Sequence, residues 1–350
     1  MPGKIRQYFR DRKDDVQDYA GGRSAVGKFV LALLAVYLLV TVILGFYWSS
    51  EPETFSVREY TRSVASSMDR EPVTGFATTA TMIHLAETLL DKPGGYLSND
   101  IFPPGIWLDN IPSWEFGVLV QLRDLSRAMR RDIARSQSQS AEDPDLIIAE
   151  PQFNFDSGSW AIPSTESEYR RGIAALKRYL NRLSDPEQAN AQFFARADNL
   201  GNWLADLETR LGSLSRTLGE SVGKASISES VANVEQGSAL DEEVAGIDVK
   251  TPWTQVDNVF YEARGSAWAL LHIFRALEVD FRKVLQDKNA MASMKQVIIE
   301  LEGTQEPMWS PVILNGSGFG LLANHSLTMA AYISRASAAI SDMRDLLSRG

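Results

Sequence analysis

The chain has 350 residues, 35 basic and 45 acidic, which gives a net charge of −10, and it contains no cysteine. The lack of cysteine excludes disulfide bonds, cysteine-ligated metal sites, thiol nucleophiles and lipoprotein-type acylation. The acidic balance argues against nucleic acid as a partner, because a surface of this sign repels phosphates.

The first element is an apolar run, residues 29–48, with the sequence FVLALLAVYLLVTVILGFYW and neither charge nor proline. At about 1.5 Å per helical residue it is about 30 Å long, which matches the hydrocarbon core of a bilayer. A cleaved signal peptide is the alternative, but its apolar region would be shorter and would end in small residues, whereas this run ends in Phe46, Tyr47 and Trp48. The sequence therefore predicts a retained transmembrane helix.

The charges that flank this run predict its orientation. Seven cations lie in residues 1–28, whereas residues 49–63 contain only Arg58 and Arg62. Because positively charged flanks stay in the cytoplasm, we expect a cytoplasmic stub of residues 1–28 and an exported domain of residues 49–350. That domain carries 28 basic and 41 acidic residues, a net charge of −13.

The exported domain repeats apolar residues at alternating spacings of four and three. These stretches cover residues 118–133, 169–183, 197–218, 256–284 and 322–347. A period of 3.5 is typical of helices that pack along one another, so the sequence predicts an all-α fold, a multi-helix bundle with antiparallel helices of coiled-coil pattern. Further helices are expected at 59–70, 74–92 and 290–302.

Two capping signals predict helix starts. Ser184-Asp185-Pro186-Glu187 combines a cap, a first-turn proline and an acid, and it predicts that helices 165–183 and 185–218 form an antiparallel hairpin. Thr165 with Glu168 forms a second capping box.

Residues 219–250 are rich in Ser, Gly, Glu and Val and show no apolar period. This composition predicts a flexible linker between two subdomains, residues 49–218 and 251–350. One undivided bundle is the alternative, and the sequence leaves the choice open.

Three connections, residues 93–114, 149–163 and 303–320, mix Pro and Gly with aromatic residues. Long loops of this kind are uncommon unless they are functional or packed down. Their tryptophans either close the ends of the bundle or form a partner-binding patch, since Trp anchors many interfaces. If residues 290–302 extend the preceding helix, counting helices up and down places the first and third loops at one end, away from the membrane. The binding candidates here are Trp107, Trp114, Trp160 and Trp309.

No motif for catalysis, a metal or a cofactor is present. His84, His272 and His325 are far apart and lack metal-ligand spacing, and His272 is expected in the core. The segment NGSGFG at 315–320 lacks the lysine of a phosphate-binding loop, and Ser317 would cap the helix that follows. Asn315, Phe319 and His325 are further binding candidates. Asp100, Asp109 and Glu115 form the one acidic group that suggests a glycan-cleaving pair.

The segment PMWSPVILNGSGFGLLANHSLTMAAYISRA, residues 307–336, together with the single N-terminal span, resembles an uncharacterised proteobacterial inner-membrane protein family, a domain of unknown function. The resemblance covers almost the whole chain. It implies an inner-membrane protein with a periplasmic helical domain, and it carries no catalytic residues that could be transferred.

These observations predict a non-catalytic scaffold or accessory protein, anchored through residues 29–48, whose periplasmic domain binds other envelope proteins. Self-association is left open. A periplasmic ligand sensor that acts through a partner is the first alternative, because a stub of 28 residues is too short for a signalling module. An envelope hydrolase or lyase is the second.

Overall fold

The computed structural model describes residues 3–136, 141–187, 190–222, 251–310, 312–316 and 322–349, and side chains from residue 26 onward. Helix α1, Gly3–Trp48, contains the apolar run. Within its segment Val26–Trp48, a window of 18 residues has a mean hydropathy of 2.8 and is almost uncovered by the rest of the chain. It is therefore long and apolar enough to span a membrane.

In the described part of the chain ten more α-helices follow and no strand occurs, so the all-α prediction is confirmed. A π-helical turn, Met129–Ile133, continues the fourth helix. The helices expected at 59–70, 74–92 and 290–302 are present as the second, third and tenth. The bounds are α2 Val57–Ser67, α3 Phe76–Asp91, α4 Asn110–Ala128, α5 Pro144–Phe153, α6 Thr165–Ser184, α7 Ala197–Ser221, α8 Val256–Asp280, α9 Arg282–Asp287, α10 Met291–Gly303 and α11 His325–Ser348.

Helix α8 lies at the centre of the bundle, where it contacts α3, α4, α7, α10 and α11. The buried positions of α8 are occupied by small residues as well as by large apolar ones. Helices α4 and α8 cross at Gly117 and Gly265, where a Cβ atom on either glycine would collide with the other backbone. This close crossing joins parts of the chain that are distant in sequence.

One hydrophobic cluster includes side chains from Ala65 to Leu347 and therefore from both sides of the predicted linker. Most of that linker, residues 223–250, lies outside the described residues. The division into subdomains at 219–250 stays a prediction.

The predicted hairpin of helices 165–183 and 185–218 is wrong. Helix α6 ends at Ser184, but α7 begins only at Ala197. The two helices have different main neighbours, since α6 packs on α3 and α5, whereas α7 packs on α11 and α8.

The connection between α6 and α7 is irregular because the core uses it. Phe193 packs against Phe281, with ring centroids 5.7 Å apart, and fills the space over Gly75. The Tyr179 hydroxyl donates to the carbonyl of Gln192 at 2.7 Å. The capping signal predicts a helix that includes Gln192 and Phe193. In the structure these residues instead pack between other helices.

The first two aromatic loops lie at the end of the bundle that contacts α1, which we call the α1 end. Gly94 has a φ of +87°, and a Cβ atom there would lie 2.8 Å from the Trp48 ring, so only glycine fits. The Asn99 amide donates to the carbonyl of Ser159 at 2.9 Å, which joins the first loop to the second.

The third aromatic loop lies at the same end. Arg264 binds Glu51, which follows α1, at 2.6 Å, and it donates to the carbonyl of Thr304 at 2.9 Å. Loop 93–114 and the described part of loop 303–320 therefore share one end, as expected, but it is the end next to the apolar helix and not the opposite one. The count failed because the residues after α1 extend along α8, away from the α1 end, before α2 begins. Glu51 pairs with Arg264, the Trp268 indole donates to the Glu53 carbonyl at 3.3 Å, and the Phe55 N–H donates to His272.

Candidate functional site

A buried ion pair of Lys92 and Glu115 positions the first aromatic loop. The Glu115 carboxylate accepts the backbone N–H groups of Leu97 and Ser98, each at 2.9 Å, and Lys92 also donates to the Gly95 carbonyl. Burial raises the pKa of the Glu115 carboxyl, and Lys92 opposes that shift. Glu115 is thus saturated with loop donors and is not presented to a substrate.

The other two members of the acidic group also belong to this loop. Asp100 packs on Gly105, and Asp109 precedes α4. Burial raises the pKa of Asp100, and Glu166 adds to the shift. Among the described residues no group of three or more His, Asp or Glu side chains converges where a metal ion could bind. The acidic residues therefore shape the loop and do not assemble a ligand set.

The four candidate tryptophans divide into two classes. Trp114 is fully buried and packs against Trp268, with ring centroids 5.1 Å apart, so it belongs to the core rather than to a binding surface. Trp107, Trp160 and Trp309 are all more than half exposed, and all three lie in loops at the α1 end. The structure therefore brings three of the four candidates to one end of the bundle.

Sequence reasoning missed several exposed apolar side chains in or near these loops. Phe102, Ile106, Ile162 and Trp253 are among them, and each is more than half exposed. The signal for the first two is the charge-free run IFPPGIWL at residues 101–108, which stands between two aspartates. Trp253 gives no comparable signal, because it stands alone next to the predicted linker.

Asn315 and His325 hold the third loop in place. The Asn315 side chain accepts the N–H of Ser326 and donates to the carbonyl of Ser221, both at 3.3 Å, so it joins the end of α7 to the start of α11. The backbone N–H of His325 donates to the Leu314 carbonyl at 2.8 Å. The N–H of Leu314 in turn donates to Nδ1 of the His325 ring at 2.9 Å. Both candidates therefore position loop backbone.

The remaining candidate, Phe319, lies outside the described residues, as does Ser317. The cap of α11 is Asn324, whose side chain accepts the N–H of Leu327 at 2.8 Å. The predicted cap at Ser317 is therefore wrong, because the helix starts later than the glycine-rich segment.

An open cavity of about 400 Å³ lies between the third loop and helices α8, α10 and α11. The one arginine in its wall, Arg264, is paired with Glu51 and donates hydrogen bonds to the loop carbonyls of Thr304 and Glu306. The rest of the wall is mainly apolar, with Glu306 and His325 among its polar members, and it suits an apolar side chain or an acyl chain. The main apolar lining residues are Phe260, Pro307, Met308, Trp309, Met329 and Tyr332.

Residues 23–350 match the family model described as an uncharacterized protein conserved in bacteria, DUF2333. The chain belongs to this family. The match includes the apolar segment of α1, the three aromatic loops and the cavity, so the apolar helix and the bundle belong to one family unit. No curated protein and no solved structure matches the chain.

His272 of this DUF2333 protein is buried in the core, as predicted. Its Nε2 accepts the N–H of Phe55 at 3.0 Å, which requires that Nδ1 carry the proton and donate to the Trp268 carbonyl at 2.7 Å. Phe55 stacks on the imidazole, with ring centroids 4.0 Å apart. Burial lowers the pKa of His272 to about 3, so the neutral ring serves as structure.

Proposed function

We propose that this chain is a single-pass protein of a proteobacterial inner membrane, a non-catalytic scaffold or accessory protein that binds other envelope proteins. Residues 1–28 lie in the cytoplasm and the helical domain lies in the periplasm. The excess of cations before the span supports this orientation. The location in a bacterial membrane is supported by membership of a bacterial family and by a helix long enough to span a membrane.

The observation that carries the scaffold proposal is the apolar cavity beside Trp309. Trp309 is 96% exposed, and a large aromatic side chain next to an open apolar groove is typical of interface anchors. Arg264 connects the cavity wall to Glu51, so the groove lies close to the end of the anchor. A hydrophobic segment of a neighbouring envelope protein would reach the groove at the membrane surface.

Photo-crosslinking in cells tests this proposal. A photoreactive residue replaces Trp309 in the full chain at its native level, and Ile299, an exposed position on α10 outside the groove, is the control. We expect a partner captured from position 309 and not from position 299. The purified partner must then bind the membrane-embedded protein and lose affinity on Trp309→Ala. Self-links alone, or equal capture from both positions, would contradict the scaffold proposal.

The same cavity favours ligand sensing as a second candidate function. A volume of about 400 Å³ suits a small apolar ligand, and an arginine already neutralised by Glu51 would not repel one. A sensor predicts that a cavity-filling ligand raises the melting temperature of the full chain in detergent. It also predicts that Trp309→Ala weakens this shift while the melting temperature without ligand is unchanged.

A further inference from the structure

The loop that contacts α1 exposes a continuous apolar run. Residues 101–108 contain no charged side chain, and Phe102 is 73% exposed. Ile106 and Trp107 are each 56% exposed. A soluble surface rarely exposes such neighbours together without a partner for them.

This loop lies beside the apolar segment and not beyond its end. Pro104 is 3.7 Å from the point where a Cβ atom of Gly45 would lie. Gly45 precedes Trp48 by three residues, about 5 Å along a helix. Thr41, one further turn inside the segment, is buried on the same helix face. If α1 crosses a bilayer, the loop therefore reaches the depth of that bilayer's surface layer.

Much of the backbone of the run needs no hydrogen-bond partner from its surroundings, although the N–H groups of Ile101, Phe102 and Gly105 are not bonded to any residue that the structure describes. Pro103 and Pro104 have no N–H group, and residues 105–107 form a 3₁₀ turn. Ile106 donates to the Phe102 carbonyl at 3.2 Å, and the next two N–H groups are also bonded within the loop. Non-helical backbone at membrane depth requires such internal pairing.

The second aromatic loop extends the same surface. Asn99 bonds the Ser159 carbonyl at 2.9 Å, which places Trp160 and Ile162 next to the first loop. Both side chains are exposed, and residues 157–164 carry no charge. Tryptophan at this position matches the enrichment of aromatic rings at membrane interfaces.

We propose that the loops at 101–108 and 157–164 insert into the interface of the bilayer that α1 crosses. The occupant of this surface is the bilayer, because the surface is continuous with the membrane-spanning helix itself. The inference rests on the proposed span. The acids that flank the first loop, Asp100 and Asp109, would be repelled by anionic headgroups, so insertion depends on apolar contact and not on lipid charge.

Depth measurement by spin labelling tests the insertion. The chain has no cysteine, so each introduced cysteine is the only labelling site. Ile106→Cys is compared with Ile299→Cys, because the two isoleucines are 56% and 57% exposed and differ in place rather than in accessibility. Leu34→Cys reports on the span. The full chain is placed in phosphatidylcholine vesicles, with or without phosphatidylglycerol.

Collision with oxygen reports lipid, and collision with a water-soluble nickel chelate reports solvent. We expect the oxygen-to-nickel ratio to be several-fold higher at position 106 than at 299, and unchanged by phosphatidylglycerol. A lipid signal at position 34 with equal ratios at 106 and 299 overturns the insertion and leaves the span intact. A water signal at position 34 overturns both. Protection of position 106 from both reagents indicates a protein contact and overturns the insertion.

Discussion

At the residue scale, Lys92 and Glu115 place two opposite charges in the core, and each depends on the other. Lys92→Met leaves a buried carboxylate without its cation, a change that typically costs about 3–5 kcal/mol. We expect a loss of this size in the free energy of unfolding, measured by denaturant titration of the full chain in detergent. The double variant Lys92→Met/Glu115→Gln removes the charge and should recover part of the loss.

The Lys92→Met deficit should depend on pH. Without the ammonium group, burial raises the pKa of Glu115 further above its unfolded value, so the folded state takes up a proton first as the pH falls. The deficit should therefore be largest near neutral pH and should shrink as the pH falls through the raised pKa. A deficit that does not vary with pH would contradict this prediction, because it would mean that the Glu115 carboxyl does not change its charge in this pH range.

His272 should make the wild-type fold sensitive to acid. Its folded pKa is about 3, whereas an unfolded histidine has a pKa of about 6.5. At a pH between these two pKa values, the imidazole is protonated in the unfolded state and neutral in the folded state. The free energy of unfolding therefore falls by up to about 1.4 kcal/mol per pH unit as the pH decreases. Denaturant titrations across this range should show the slope in wild type and in a His325→Gln control. The slope should be reduced in His272→Gln, and equal slopes in all three would refute the assignment.

At the element scale, the crossing of α4 and α8 depends on Gly265. Gly265→Ala would force the two backbones apart, and overpacking of this kind typically costs about 1–3 kcal/mol. Gly201→Ala on α7 is the matched control, because its Cβ would meet nothing within 4 Å. The control should gain about 0.5–1 kcal/mol from helix propensity. Opposite signs in thermal unfolding would confirm the close crossing, and two gains would contradict it.

Helix existence could be predicted from periodicity, but helix partners could not. The period of α8 is readable because its buried stripe is continuous, from Phe260 to Phe281. The predicted cap, Ser184, donates its hydroxyl back to the Leu180 carbonyl at 2.9 Å, and Asp185 accepts the N–H of Glu187 instead. The described residues between Asp185 and Ala197 form no helix, because Phe193 is required in the core. Local capping chemistry is the same in a turn as at a helix start, so only packing distinguishes the two.

At the scale of the whole molecule, helices from both predicted subdomains share one core. Helix α8 packs on α3 and α4, and α11 packs on α7, across the predicted boundary. We therefore expect a single cooperative unfolding transition of the helical domain in calorimetry of the full chain in detergent, because neither half retains its core alone. Two separated transitions would favour the predicted division at 219–250.

The sequence by itself determined the apolar helix, the all-α class and the absence of cysteine chemistry. Each of these follows from composition and spacing along the chain, which folding does not alter. The aromatic loops could also be identified as unusual, since Pro, Gly and Trp are neighbours there in sequence.

The tertiary structure decided where those loops lie and which of their residues are exposed. Trp107 and Trp114 are seven residues apart, yet one is exposed and the other fully buried against Trp268. The direction of the chain after α1 was decided by contacts such as Phe55 with His272, more than two hundred residues away. Long-range packing of this kind depends on shape in three dimensions, so no local pattern could reveal that the aromatic end lies next to the apolar helix.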